Sequence, residues 1–168
     1  VPTASIDTSA EAAFLSVHSL KDPTMAAKLQ TMLAAGKPVL VTDGLAGRLG
    51  DLDLKKENLI VLKVNGKPRD LLELTREQLN PIRDKLLAPF GMKFDGPNKV
   101  GLYLIGENRL VVENFNDAGI DAAIEFTKAV NGRQVLVLPA EGKADLKQEG
   151  NKLVFSRITP RTVVVLDY

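Results

Sequence analysis

Apolar and polar residues change rhythm along this chain, and the changes mark its elements. After a lead-in at 1–10, Ala12–Val17 (AAFLSV) is a short unbroken apolar run of strand length. Asp22-Pro23 then reads as a helix start, an Asp N-cap with Pro at the first helical position, where a missing N–H is harmless. Met25, Leu29, Met32 and Leu33 form one apolar stripe at helical spacing, and Gly36 sits where a C′ glycine ends a helix. Pro38–Thr42 is a second unbroken run, closed by Asp43-Gly44. Strand, helix, strand over so short a span predicts a βαβ unit with two parallel strands. Neither strand alternates, so cover is expected on both faces of the sheet.

The next stretch is mixed. Residues 43–57 are Gly-rich and then charged, which reads as a connection. Asn58–Val64 predicts a strand, and Asn65-Gly66 is a strong turn signal. KPRDLLEL, from Lys67, reads as the return strand, held at an edge by Pro68. Thr75-x-x-Gln78 has capping-box form, and Asn80-Pro81 is taken to start a helix over Ile82–Leu87.

Beyond Gly91 the texture is that of short strands: Val100–Ile105, Leu110–Phe115, Ile120–Phe126, Gln134–Leu138, Leu153–Ile158 and Thr162–Leu166, with turn residues between them. Ile120, Ala122, Ile124 and Phe126 alternate with Asp121, Ala123 and Glu125, so one face of that strand should be wet. The expected fold class is therefore α+β: a βαβ portion over 1–50, a mixed linking region over 51–98 and an antiparallel β-sandwich over 99–168.

Charge and composition narrow the chemistry. Twenty-two basic and 21 acidic side chains leave a net charge of +1, and residues 99–168 interleave nine of each sign. No bulk field or clustered basic face favours nucleic acid or an anionic membrane as partner. No apolar run reaches the ~18 residues that would span a bilayer. The absence of cysteine removes a disulfide framework, a thiolate metal site and a cysteine nucleophile. With one histidine as well, no metal or cofactor is expected.

The catalytic candidates are few. His18 follows the first strand, at the sheet edge where parallel α/β folds bind ligands, with Ser19 beside it and Asp43 ending the second strand. A loop histidine and a turn-forming aspartate are the commoner uses of such residues. Gly44, Gly47 and Gly50 follow a strand, but Ala46 replaces the second glycine of a phosphate-cradling fingerprint. Asp51 and Asp53 could pair as carboxylates, and nothing fixes their separation. A sugar-binding surface needs exposed aromatic rings; there is no Trp, Tyr103 is one of two Tyr, and Phe115, Phe126 and Phe155 fall in strands where core packing is expected.

Three stretches carry a resemblance. Phe14–Leu45 (FLSVHSLKDPTMAAKLQTMLAAGKPVLVTDGL) resembles the last part of the class I glutamine-amidotransferase-like, flavodoxin-like domain of multidomain bacterial glycoside hydrolases. Gly101–Phe126, with its ENFND hairpin, and Arg157–Tyr168 resemble the small C-terminal β-sandwich of such enzymes. The resemblance implies a non-catalytic accessory region of a carbohydrate-active enzyme, serving oligomerisation or shaping of a cleft. Its partners would be an upstream catalytic domain or another protein chain, with carbohydrate as a further ligand. It also implies a bacterial source, either cytoplasmic or secreted to the periplasm or beyond. Starting at Val1 and holding only the tail of the flavodoxin-like fold, the chain is expected to be a fragment or a processed product. The competing expectations are a small hydrolase or transferase using His18 with Asp43 or Ser19, and a carbohydrate-binding module.

Overall fold

The computed structural model describes residues 5–50 and 56–168. Among them are eleven strands and few helices, a mixed α/β chain in two compact units. One unit is Val1–Glu73 with Lys85–Phe90; the other is Leu74–Asp84 with Gly91–Tyr168. The segment 51–98 thus contributes to both.

The first unit is built on a three-stranded parallel sheet, β1 (Ala13–Leu15), β2 (Val39–Thr42) and β3 (Leu59–Leu62), in the order β1-β2-β3. The expected parallel pairing is present: Leu15 lies opposite Val41, which lies opposite Val61. The third strand comes from the region read as a linker. Helix α1 (Met25–Ala34) buries Met25, Leu29, Met32 and Leu33 against Leu15, Val39, Val41 and Leu59. Its end is a Schellman motif: Gly36 takes φ +76°, its amide bonds to the Leu33 carbonyl, and the Lys37 amide reaches Met32. Asn58 Nδ2 then ties the Leu33 and Lys37 carbonyls (3.1 and 2.7 Å) to the start of β3. The helix begins later than expected, at Met25 with Thr24 as N-cap, and the Asp22 carboxylate also holds the lead-in segment through the Ile6 amide. Strand β2 runs directly into a one-turn helix, α2 (Asp43–Ala46).

Asn65-Gly66 makes the expected turn, with φ values of +51° and +68° and a Lys67 N–H to Val64 C=O bond of 2.8 Å. The chain then enters a 3-10 helix over Pro68–Glu73, not a return strand. In a parallel sheet β3 needs no hairpin partner, and Pro68 sits comfortably in a first helical turn. Helix α3 (Arg76–Leu87) also begins earlier than the Asn80-Pro81 start. The Thr75 amide donates to Gln78 Oε1 at 2.9 Å, so the capping box sets the start and the helix runs through Pro81.

The second unit holds two four-stranded antiparallel sheets, an arrangement compatible with a β-sandwich. One has the order β4 (Met92–Asp95), β7 (Ile120–Phe126), β10 (Lys152–Ile158), β9 (Asp145–Glu149). The other runs β5 (Val100–Ile105), β6 (Arg109–Asn114), β11 (Val163–Asp167), β8 (Arg133–Leu138). All six strands expected after Gly91 are present, together with β4 and β9, whose charged residues hide them in the sequence. Each sheet has a buried face: Phe94, Ile124, Leu153 and Phe155 on one, Leu110, Val112, Val164 and Leu166 on the other. Phe126 stacks at a tilt on Tyr168, ring centroids 4.9 Å apart. Phe115, expected in the core, lies one residue beyond β6 and is exposed.

Asn114, fully buried at the end of β6, organises the turns around it. Its Nδ2 donates to the carbonyls of Ala118, Ile158 and Thr159 (2.9–3.0 Å), while Oδ1 accepts from the Asn116 amide and side chain. Replacing Asn114 by Ala strands several buried carbonyls. Urea denaturation of Asn114→Ala should show a loss of about 2–3 kcal/mol in unfolding free energy; a loss below ~0.5 kcal/mol would mean that water replaces the carboxamide freely.

Candidate functional site

The expected site lies where β1 and β2 end. After β1 the chain enters a 3-10 turn, Val17–Lys21, carrying His18 and Ser19. After β2 it enters α2, which opens with Asp43. The two connections approach closely: a Cβ placed on Gly44 would lie 3.4 Å from Val17 Cγ1.

The side chains do not converge. Asp43 Oδ1 accepts from the Gly44 amide (2.8 Å) and Oδ2 from the Asn65 amide (2.7 Å). It therefore pins the turn after β3 to the end of β2, and these amides, Asn65 first, hold its carboxyl below the ordinary aspartate value. His18 is exposed, and among the described residues no hydrogen bond joins its ring to Asp43 or Ser19. Ser19 serves the turn through its backbone, its N–H bonding to Ser16 C=O at 2.9 Å and its carbonyl accepting from Asp22 N–H at 3.0 Å.

The phosphate reading of Gly44, Gly47 and Gly50 meets a physical obstacle. The Gly44 amide is taken by Asp43 Oδ1, and the Leu45 amide by Thr42 Oγ1 at 3.3 Å. An incoming phosphate would have to displace a carboxylate of its own charge. Asp51 and Asp53 lie outside the described residues. Among the described residues no three His, Asp or Glu side chains gather as a metal site would need.

Among the described residues, the most heavily engaged carboxylate of this unit is one the sequence places only as a helix cap. Asp22 Oδ1 accepts from the Thr24 amide and hydroxyl (2.9 and 2.7 Å), and Oδ2 from the Ile6 amide (3.1 Å) and Lys28 Nζ (2.9 Å). It fastens the lead-in segment to α1. Lys37 adds a second clasp, its ammonium reaching the carbonyls of Thr8, Ser9 and Ala10 at 2.9–3.1 Å. Nothing in the local pattern signals either long-range bond.

In the second unit, a cavity of about 210 Å³ lies over β4 and β7, lined by Asn80, Asp84, Lys93, Asp95, Glu125 and Lys152 among others. Its Asp95 carboxylate is engaged locally: Asn80 Nδ2 donates to Oδ1 at 2.7 Å, and Arg76 Nε lies 3.1 Å from the same oxygen. Lys93, Glu125, Lys152 and Glu149 stand side by side across four strands with alternating sign. That row is a solvated sheet face. No family model, curated protein or solved structure matches the chain.

The Asp22 cluster makes a pH-dependent prediction. Lys28 first, then Thr24 and Ile6, hold the Asp22 carboxyl far below its ordinary value. A carboxyl depressed in the folded state stabilises it fully above the unfolded value, about pH 4, and this contribution fades as pH falls through the folded value. Asp22→Asn should therefore melt below the wild type at pH 7, with the gap shrinking below about pH 4. A gap independent of pH would show that the ionised form is not what matters.

Proposed function

We propose that this chain is a non-catalytic structural and interaction region of a glycoside-hydrolase-like, carbohydrate-active enzyme, with its first unit a flavodoxin-like remnant. The observation that carries the interaction role is Phe14. It stands on β1, at the edge of the parallel sheet, on the face opposite Leu15 and α1, and 59% of it is exposed. Val17 and Leu20 follow it in the next turn, both exposed as well. Parallel sheets bury both faces. An edge strand followed by exposed apolar residues is a surface that another part of a larger protein covers. Support for the carbohydrate-active parent comes from the likeness of Phe14–Leu45, Gly101–Phe126 and Arg157–Tyr168 to accessory segments of such enzymes.

The enzyme alternative loses its ground at Asp43. The Asp43 carboxylate serves the Gly44 and Asn65 amides, and the exposed His18 makes no hydrogen bond to it. A general base must lie within hydrogen-bond reach of its partner.

Two measurements test the reading. The chain should turn over no chromogenic glycoside or ester, and any turnover abolished by His18→Ala overturns the non-catalytic assignment. Phe14→Ser should lower binding of a hydrophobic fluorescent dye at least about twofold without changing the circular dichroism spectrum. Unchanged dye binding would remove β1 as the interaction surface.

A further inference from the structure

We infer that the exposed face of the β5-β6-β11-β8 sheet is a self-association surface, taking a second copy of this chain. The register across that sheet is continuous. Tyr103 on β5 pairs with Val111 on β6, Val111 with Val165 on β11, and Val165 with Leu136 on β8. The four make an apolar row across every strand, on the side opposite the buried Leu110, Val112, Val164 and Leu166. The next row adds Val163 opposite Leu138. Tyr103 and Leu136 are each 45% exposed, and Leu138 47%. With strands about 4.8 Å apart and same-face residues about 6.8 Å apart along each strand, the two rows cover on the order of 250 Å², a contiguous patch where surface apolar residues ordinarily stand singly. The other sheet carries the alternating Lys and Glu row on its exposed side, so the contrast lies within one unit.

Charge favours a second copy as the occupant. The row flanking the apolar one holds Asp167 between Arg109 at 2.7 Å and Arg133 at 3.5 Å, and Glu113 stands on the opposite flank. Two two-fold axes lay one such face on another. An axis along the row sets Arg109 of one copy over Glu113 of the other, twice. An axis along the strands sets Arg109 over Asp167, again twice, and Tyr103 over Leu136. Both superpositions set valine on valine, with Leu136 on its own copy under the first axis and on Tyr103 under the second, and bring no two of these four charges into like-charge contact, which is the self-complementarity an isologous interface requires. Tyr103 is already held for it: its hydroxyl donates to Glu113 Oε2 at 3.0 Å, and its ring lies against Gly101, where a Cβ would come within 2.9 Å. A sugar would find one aromatic ring amid aliphatic side chains. Edge-to-edge pairing through β8 is opposed by the register shift at Val135, which breaks the regular edge.

The test uses the whole chain. Light scattering from micromolar to millimolar concentration should show a mass rising toward twice 18.2 kDa. Val165→Lys should hold it at the monomer with an unchanged circular dichroism spectrum, and Arg109→Glu should weaken association about tenfold. Because the chain has no cysteine, Val111→Cys and Val165→Cys give an independent readout that does not depend on the lysine variant folding. Val111→Cys alone should oxidise to a dimer under the first axis, and only its mixture with Val165→Cys under the second, whereas Ser156→Cys on the other sheet should not cross-link. A chain monomeric throughout the series overturns the proposal, as does a dimer untouched by Val165→Lys together with no cross-link in either arrangement. A monomer that instead binds a soluble oligosaccharide, and loses it on Tyr103→Ala, also overturns it and assigns the face to sugar.

Discussion

Every sheet in this chain must remove one apolar face from water, and that constraint sets the rest. In the first unit the amphipathic helix α1 covers one face of the parallel sheet, with Leu29 and Met32 fully buried against Val39 and Val41, and Leu40 on the other face is buried as well. In the second, each four-stranded sheet carries its own buried face, centred on Phe155 and Ile124 in one and Leu110 and Leu166 in the other. Polar clasps such as Asp22 and Asn114 act after this burial. They fix how segments enter and leave the sheets, because a buried amide or carbonyl without a partner costs more than a made bond contributes.

Much of the fold was legible because its signals are local. Apolar period, an NG turn, a capping box and a C′ glycine each act within a few residues, and each is found where the sequence puts it. The failures share a cause. Lys67–Leu74 comes after a true turn, so a returning strand was the natural reading, but β3 bonds to β2 and the chain folds away into a 3-10 helix. Strands β4 and β9, MKFD and DLKQE, are edge strands with charged side chains, and only their pairing with β7 and β10 makes them strands. Asn80-Pro81 is a helix-start signal, but the Thr75–Gln78 bond opens the helix upstream of it.

The candidate site was legible only as a location. Topology brings the connections after β1 and β2 together, as the parallel reading implies, but the Asp43 carboxylate serves backbone amides and makes no bond to His18. Asn65, twenty-two positions along the chain, reaches that carboxylate. The apolar row across β5, β6, β11 and β8 was hidden for a related reason. Each strand shows its own alternation, whereas the juxtaposition of Tyr103, Val111, Val165 and Leu136 exists only once the register is fixed.

The place of β11 has a kinetic consequence. It lies between β6 and β8, so the central pairing of its sheet joins residues 109–114 to 163–167. On a growing chain, β5 and β6 can form a hairpin at once, but β8 has no bonded neighbour until β11 has been synthesised. Pairing over so long a separation carries a large loop-closure entropy and slows the search. During that interval β6 keeps an open edge and the apolar β8 stays unpaired, which makes the vectorial phase of synthesis the time when this unit is most exposed to misassembly.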